Sequence, residues 1–562
     1  MVSYVASPSP ENRHTRCTLE RRTMKRPSSS IYRSALMILA SAAHLSCTAT
    51  AHLKRPSPPP SPPENTGASS PVDDETCRTE LWSKFPSFTD KLCSALPRDI
   101  DPELQKSTIG RGEYAEGNRL YDILAWQSFI AMAWPVTKDG RARPRLADDG
   151  AHGWDTWKTS YDVFKPGGGA PDAWNPAEQQ AKRSAPDASF PINASRTLQD
   201  DRQADSFILW DQNGNKVYYE VLYSERLFKY LNDNALYSID GQIAYSAEYC
   251  ATPEEDCTNP DAPWGNPQNA DQTPSIALKL AWKLLDESES HLEGRFILRK
   301  AYVRAGAAPS LRTFGLVGAN VMIKTLSAKK QWVWAAFEHI DNVDVNPLET
   351  HNGKPLKPSF NDPDCPLCPV NEPPDERVWP PSEGPWVSRT QVHRQQPIRE
   401  DTAALNSEVQ AQLKKNRSAL QFYELVGTQW PTDGGGEPSP SDRLPDAVAN
   451  ESGGRPYRPY LVNTVLETYM QKGNTVAADV NRALRPETTR MFHTSSCMGC
   501  HSGAHIARER SQGKITWGER GSGDFLWSYA TKARPKAAPA GDRQAHGMTS
   551  AAEADAQPKQ RK

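Results

Sequence analysis

The stretch DSFILWDQNGNKVYYEVLYS (Asp205–Ser224) contains two runs of apolar and β-branched residues separated by DQNGN. Such runs are typical of β-strands, and an Asn-Gly pair between them favours a hairpin turn. The stretch therefore predicts two antiparallel strands joined by a turn, and it places a sheet at the centre of the chain.

Stretches on both sides of this hairpin add further elements. Strand-like patterns follow in PSIALKLAWKLL (Pro274–Leu285), RFILRKAYVRA (Arg295–Ala305), TFGLVGANVMIKT (Thr313–Thr325) and QWVWAAFEHIDNVD (Gln331–Asp344). Helical spacing of apolar residues occurs in GNRLYDILAWQSFIAMAWP (Gly117–Pro135), LNSEVQAQLKKN (Leu405–Asn416) and YLVNTVLETYMQ (Tyr460–Gln471). Because most strands form a run of their own, the pattern predicts the α+β class, with a large mixed domain.

Composition limits the function classes. The 562 residues are too many for one ordinary core, which predicts one large domain or two smaller ones. The 66 Lys and Arg residues nearly balance the 68 Asp and Glu residues, which argues against a nucleic-acid partner. No apolar run approaches the length of a membrane-spanning helix, so we expect no transmembrane span in the mature chain.

The N-terminus resembles an export signal. A basic stretch precedes the short apolar run SALMILASAAHL (Ser34–Leu45). Two processing sites fit residues 1–51: a lipoprotein site at Cys47, which would give a lipid anchor, and the small-x-small site at Ala49–Ala51, which would release a soluble protein. Residues 52–74 are Pro-rich and predict an extended linker. We therefore expect an extracytoplasmic location, in the periplasm or as a membrane-anchored lipoprotein.

Of the ten cysteines, Cys17 lies in or before the export signal and Cys47 lies at its end, and the other eight form four pairs that are close in sequence. Three of these pairs suit disulfides in an oxidising compartment: Cys77 with Cys93, Cys250 with Cys257, and Cys365 with Cys368. Pro369 follows the last pair, so CPLC is not a haem motif. A short structural disulfide is our prediction for CPLC, with a redox pair or half of a zinc site as the alternatives.

The remaining pair lies in HTSSCMGCHSGAH (His493–His505) and carries the chemistry. C-x-x-C-H is the attachment motif of haem c, in which each cysteine forms a thioether with one vinyl group of the macrocycle. On one helical turn, Cys497 and Cys500 face the same macrocycle edge, and His501 then supplies the proximal ligand of the iron. We predict one covalent haem c, held by these three residues; the alternative is a disulfide followed by an incidental histidine.

The position of this motif predicts how the domain is organised. Residues 533–562 have the composition of a disordered tail. Too few residues remain after His501 to enclose a haem. We therefore expect a large α+β domain over residues 75–490 and a haem-attachment segment over 491–532 that packs at its C-terminal end and completes it.

The sixth ligand of the iron is left open among several residues. His339 and Met470 are the two candidates for the distal position. Each has a plain structural alternative, namely a hydrogen-bonded core histidine and a packed core methionine. His493 and His505 flank the motif and Met498 lies inside it, where reaching the distal face is difficult. An open sixth position is a further alternative. Glu467 could act as a proton relay or as an ordinary solvated or capping carboxylate.

A series of motifs also resembles one family. These motifs, in chain order, are LAWQSFIAMAWP, DQNGNKVYYE, GLVGANVMIKT, QWVWAAFEHIDNV, TQWP, LVNTVLETYMQ, SSCMGCHSGA and DFLWSYA. Together they resemble a little-characterised bacterial group of cytochrome c family proteins with a large exported domain and a single C-terminal CxxCH. The resemblance implies haem c and an extracytoplasmic location. Relatives tend to have GLHI where this chain has GANV, so that Asn320 replaces a histidine.

These observations predict an exported monohaem c-type cytochrome that acts in electron transfer with an unknown redox partner protein. The large domain around a single haem keeps two alternatives open. One is a haem c-dependent oxidoreductase of the peroxidase or oxygenase kind. The other is a haem-based binding or sensor protein.

Overall fold

The computed structural model of the protein describes residues 92–536, except for 112, 185–196, 199, 205–206, 250–258, 270, 306–307, 347, 366–367, 374–389, 432–456, 459, 475–494 and 520. The described residues belong to the compact unit Ser69–Lys562, and a second unit, Met1–Ala68, lies outside them. The predicted export signal, the Pro-rich linker, and Cys77, Cys250, Cys257 and His493 also lie outside the described residues.

Strands and helices are both present, which confirms the α+β class. The strands are β1 Pro135–Val136, β2 Ala151–His152, β3 Lys158–Thr159, β4 Val217–Tyr223, β5 Ile276–Leu284, β6 Leu298–Ala305, β7 Ala308–Thr325, β8 Gln331–His339, β9 Thr350–His351, β10 Lys354–Pro355, β11 Tyr423–Gln429, β12 Ala507–Ser511 and β13 Lys514–Trp517. The α-helices are α1 Pro102–Thr108, α2 Tyr114–Ala133, α3 Ser160–Val163, α4 Pro176–Ser184, α5 Glu225–Asp233, α6 Ile239–Tyr249, α7 Glu400–Lys415, α8 Cys497–His501 and α9 Ser528–Thr531.

One antiparallel sheet organises the described residues. Its strands follow the order β11-β8-β7-β5-β4-β3, and β6 pairs with the N-terminal part of β7. The long strand β7 therefore has different partners along its length. Its C-terminal part lies between β5 and β8, and this is the centre of the sheet.

One face of the sheet packs against the helices α2 and α7. We call this apolar cluster the helix-side core. Helix α2 is apolar on nearly all sides, and Trp134 after it precedes Pro135, which disfavours a further helical turn. Phe129 of α2 stacks on Phe337 of β8, with ring centroids 4.2 Å apart. Leu405, Val409 and Leu413 of α7 repeat every four residues and complete this layer.

The opposite face packs against α5 and the C-terminal part of the chain. We call this cluster the site-side core. Side chains alternate along a strand, so Trp332 and Trp334 of β8 point to this face while Val333 and Phe337 point to the other. Met322 of β7 joins them. The C-terminal residues packed against these strands are Leu461, Met498, Phe525, Leu526 and Tyr529.

Of the two strands predicted for Asp205–Ser224, only the second is present as a full strand. β4 forms as expected, whereas the first strand is reduced to a single bridge between Trp210 and Lys216. The turn is organised by the Asp211 carboxylate, which accepts hydrogen bonds from the backbone N–H groups of Asn213 (2.9 Å) and Asn215 (2.7 Å). Gly214 supplies the left-handed conformation that this turn requires (φ +80°).

The helix predicted over Tyr460–Gln471 is wrong. Leu461 instead forms a bridge with Ser496, and a 3₁₀ helix begins only at Thr468. The Asn463 side chain accepts from the N–H of Val465 (3.1 Å) and donates to the carbonyl of Phe337 (2.9 Å). Such side-chain bonds to the backbone compete with helix formation, and here they tie the segment to β8.

The structure contains the predicted disulfide between Cys365 and Cys368. Among the described residues, no group of three or more His, Cys, Asp or Glu side chains could hold a metal ion, which gives the zinc alternative for CPLC no support there. None of the helices in the described ranges is long and apolar enough to cross a membrane.

Candidate cofactor-attachment site

The CMGCH sequence forms the short helix α8, and strand β11 holds its first turn. Ser496 caps the helix by accepting a hydrogen bond from the N–H of Gly499 (3.1 Å). The buried Gln429 side chain, at the end of β11, donates to the Ser496 hydroxyl (2.8 Å) and accepts from the N–H of Met498 (2.7 Å). The start of α8 is therefore fixed to the sheet by one amide side chain.

Cys497 and Cys500 lie on this single helical turn, as predicted. Both are thiols, and both are partly exposed, whereas Met498 and Gly499 between them are buried. The Cys497 thiol donates to the carbonyl of Leu461 (3.4 Å), and burial raises the pKa of Cys497 well above its usual value. Both cysteine residues thus keep part of their surface exposed, while Met498 between them packs into the site-side core.

His501 is oriented by one hydrogen bond to the backbone. Its Nδ1 lies 2.7 Å from the carbonyl oxygen of Phe525, which can only accept, so Nδ1 carries the proton and Nε2 is left with its lone pair. Burial lowers the pKa of His501 to about 4, so the imidazole is neutral at physiological pH. A neutral imidazole whose other nitrogen donates to a carbonyl is the usual state of a metal-bound histidine.

Trp334 lies beside His501 and has an unsatisfied polar atom. The two ring centroids are 6.5 Å apart, and the Trp334 ring also contacts Phe525 at 5.2 Å. The buried indole Nε1 of Trp334 has no hydrogen-bond acceptor among the described residues. Buried donors are rarely left unsatisfied, so an acceptor for this atom is to be expected from a group other than the described residues.

A row of partly exposed side chains crosses the centre of the same sheet face. Val221 of β4, Lys279 of β5 and Asn320 of β7 are direct cross-strand neighbours. Each is partly exposed although its strand is otherwise largely buried. The positive charge of Lys279 acts on Cys497 and His501, so the row lies close to α8. The sheet face is therefore open next to the two thiols.

Two polar groups in this opening have opposite charge. Asn320 donates to Glu467 (2.8 Å), which also accepts from the N–H of Asn463 (2.9 Å). Burial raises the pKa of Glu467, despite these bonds and the charge of Lys279. The Lys279 ammonium lies 5.4 Å from the Tyr219 ring, and within the described ranges it has no hydrogen bond or ion pair. A lysine beside a buried carboxyl group with a raised pKa is an unusual arrangement for the middle of a sheet.

The structure does not bring His339 to α8. His339 lies on the same side of β8 as Phe337, in contact with Phe296 (ring centroids 4.1 Å apart). Its Nε2 is 3.0 Å from the carbonyl of Arg295, and its Nδ1 accepts from the N–H of Asp341 (3.1 Å). Both ring nitrogens are used, so the geometry favours the hydrogen-bonded core histidine over the distal ligand.

The other sequence candidates lie nearer to α8. Met470 is partly exposed in the 3₁₀ helix Thr468–Asn474, and its carbonyl accepts from the hydroxyl of Ser495 (3.2 Å). His505 packs edge-on against Trp517 and Trp527, with its Nδ1 3.0 Å from the carbonyl of Gly503. The Met498 side chain is buried in the site-side core. Met470 and an open sixth position both stay predictions, and His493 lies outside the described residues.

Sequence analysis missed three residues of this site. Gln429 lies in TQWP and Phe525 in DFLWSYA, so both belong to motifs that had been singled out without a role. Lys279 gave no signal, because a lysine in an alternating strand suggests a solvent-facing position. Comparison of the chain with protein-family models, with curated proteins and with solved structures finds no match.

Proposed function

We propose that the chain is an exported monohaem c-type cytochrome that transfers electrons to or from a partner protein. Cys497 and Cys500 would hold the haem covalently, and His501 would be the proximal ligand of its iron. The observation that carries the proposal is the hydrogen bond from His501 Nδ1 to the Phe525 carbonyl, because it leaves Nε2 available next to two partly exposed cysteines. The haem would supply one-electron redox chemistry, and the chain would supply attachment, orientation and burial.

Two further features support a macrocycle at this place. The opening beside α8 is bordered by the row from Val221 to Asn320, so a flat group attached to the thiols has a sheet face to pack on. The Trp334 indole has no acceptor in the part of the chain that the structure describes, and a carboxylate of the haem is one group that would provide it. The export signal proposed from the sequence agrees with this function, because haem c is attached outside the cytoplasm.

Haem staining after denaturing electrophoresis tests the attachment, because thioether bonds survive denaturation. We expect the full-length protein, expressed with a haem c maturation system, to retain the stain. The double variant Cys497→Ala/Cys500→Ala should lose it completely, while Cys365→Ala/Cys368→Ala is the control that removes the other C-x-x-C pair and should keep it. A stain that persists without Cys497 and Cys500 would end the proposal.

A haem-dependent oxidoreductase is the second candidate, and the polar opening is the observation that favours it. Lys279 and Glu467 provide a cation and an acid next to the attachment helix, as a site for acid–base chemistry would require. The absorption and resonance Raman spectra of the purified protein separate the two candidates. Six-coordinate low-spin iron favours electron transfer, and five-coordinate high-spin iron favours catalysis or the binding of a small gas.

A further inference from the structure

The acceptor of the His501 hydrogen bond lies in a turn with unusual backbone geometry. Asp524 (φ +44°) and Phe525 (φ +62°) are consecutive residues in the left-handed region. Residues with a Cβ adopt this region uncommonly, and for a bulky residue such as Phe it is an outlier. Such a conformation persists only where the surrounding structure holds it, and it often marks a functional site.

Several buried groups converge on this turn. Lys324 Nζ donates to both carboxylate oxygens of Asp524 (2.6 and 2.7 Å). The backbone N–H of Ala262 donates to the same carboxylate (2.8 Å), and Trp332 Nε1 donates to the Asp524 carbonyl (3.0 Å). Lys324 and Trp332 are fully buried cross-strand partners on β7 and β8. The turn is therefore anchored to the two central strands of the sheet.

This anchoring determines where the Phe525 carbonyl points. With Asp524 held at its side chain and at its backbone carbonyl, the following peptide group has little freedom, and its oxygen lies 2.7 Å from His501 Nδ1. The contacts from Lys324 to His501 are continuous. The Lys324 ammonium binds the Asp524 carboxylate, the backbone turn joins Asp524 to Phe525, and the Phe525 carbonyl accepts from the His501 imidazole. Within the described residues, these contacts connect the centre of the sheet to the His501 imidazole.

We propose that Lys324 and Asp524 are positioning residues for His501: they fix the Phe525 carbonyl so that the imidazole keeps its proton on Nδ1 and presents Nε2 to the iron. This inference rests on the proposed function for its consequence in the holoprotein. A hydrogen bond at Nδ1 increases the basicity of a ligating imidazole, which stabilises ferric iron and lowers the reduction potential. The pair would thus tune the haem without contacting it.

The substitution Asp524→Asn tests the inference in the full-length holoprotein. It keeps the size of the side chain and removes the charge that binds Lys324. We expect the reduction potential to rise and the electron paramagnetic resonance signal of the ferric haem to change, because the Phe525 carbonyl loses its fixed position. The matched control is Asp341→Asn, which removes a carboxylate from the equally buried pair with Arg295 (2.7 Å). This control should keep the potential even if its melting temperature falls.

A milder variant covers the case in which Asp524→Asn does not fold. Trp332→Phe removes the indole N–H that donates to both the carbonyl (3.0 Å) and the carboxylate (3.1 Å) of Asp524. It leaves the ion pair with Lys324 intact, and we expect a smaller shift of the reduction potential in the same direction. Folded, haem-loaded variants with the wild-type potential would overturn the inference.

A second readout separates this inference from the proposed function. Nitrogen NMR of histidine-labelled protein without haem, assigned with His501→Ala, reports which ring nitrogen of His501 carries the proton. We expect Nδ1 to carry it in the wild type and a mixture of tautomers in Asp524→Asn. If the wild type binds no haem, the proposed function fails, and the tautomer measurement still decides the positioning role. An unchanged tautomer in folded Asp524→Asn would refute that role.

Discussion

At the residue scale, two histidines with the same pKa shift have different surroundings. Burial lowers the pKa of both His339 and His501 to about 4. His339 uses both ring nitrogens in hydrogen bonds to the backbone, whereas His501 uses one. The number of occupied nitrogens, and not the pKa, therefore distinguishes a core histidine from one that can bind a metal.

The lowered pKa of His339 predicts that the free energy of unfolding depends less on pH in the variant His339→Gln. The folded-state pKa of His339, about 4, lies below its unfolded value of 6.5, so the unfolded chain binds the additional proton as pH falls. The stabilisation is complete above pH 6.5 and is lost as pH falls toward 4. In the variant, we expect the slope of unfolding free energy against pH in this window to decrease by about one proton, or roughly 1.4 kcal/mol per pH unit.

Denaturant titrations at several pH values measure that slope, and the absorption spectrum of the holoprotein provides the accompanying control. Because His339 does not face α8, the Soret band of His339→Gln should remain at its wild-type position. A shifted Soret band would restore His339 as a ligand, and an unchanged slope would contradict the assigned protonation state.

At the scale of elements, the contact between β7 and the segment after Leu461 depends on Gly318, because a residue with a side chain would not fit there. A Cβ on Gly318 would lie 2.4 Å from Val465 Cγ2 and 3.0 Å from the Asn463 side-chain oxygen. Glu338, the cross-strand partner of Gly318, accepts from the N–H of Thr464 (2.6 Å). The segment that carries Leu461 and Glu467 is thus seated directly on the sheet.

We therefore expect Gly318→Ala to destabilise the fold by about 1–3 kcal/mol, as overpacking of a buried contact does. Since Leu461 and Glu467 lie in the displaced segment, the yield of covalently attached haem should also fall. Gly169→Ala is the matched control, because a Cβ there meets no atom within 4 Å. Thermal unfolding and haem staining measure both effects; equal stability of the two variants would contradict the close approach.

Sequence patterns predict an element when its apolar residues repeat with the period of a helix or a strand. They fail when a few contacts to distant residues determine the conformation of a segment. β5, β8 and the C-terminal part of β7 were predictable because most of their residues are apolar and buried. The segment around Asn463 was not, because its conformation depends on bonds to Phe337, a residue distant in sequence. The row through Lys279 and Asn320 was also hidden, since it exists only once the register between β5 and β7 is known.

At the scale of the whole molecule, helix α8 packs in the same core as one face of the sheet. Met498, Leu526 and Tyr529 pack in the same cluster as Trp332 and Trp334, and Gln429 of β11 fixes the start of α8. The residues after Leu461 therefore bury their apolar side chains on strands that precede them in the chain.

Residues 455–532, expressed alone with the haem maturation system, should consequently give an unstable product with an exposed haem and altered ligation. Very small domains lack sufficient core without cross-links, and this fragment would also lose the sheet face beside its two thiols. Absorption spectra and the reduction potential, compared with those of the full-length protein, test the expectation. A well-folded fragment with native spectrum and potential would identify a self-contained module and assign the large domain a separate task.

The two cores on opposite faces of the sheet have a consequence for descent. Within the described residues, the helix-side core and the site-side core consist of separate sets of buried residues, and Trp174, which is partly buried, packs against both. Most of the packing of α2 and α7 is therefore separate from the face near α8. A gene copy in which Cys497 and Cys500 were mutated would still encode a stable fold, and the partly exposed sheet face could then evolve to bind another ligand. If the proposed haem is bound, the architecture would let a cofactor be gained or lost over evolutionary time while most of the helix-side core stays unchanged.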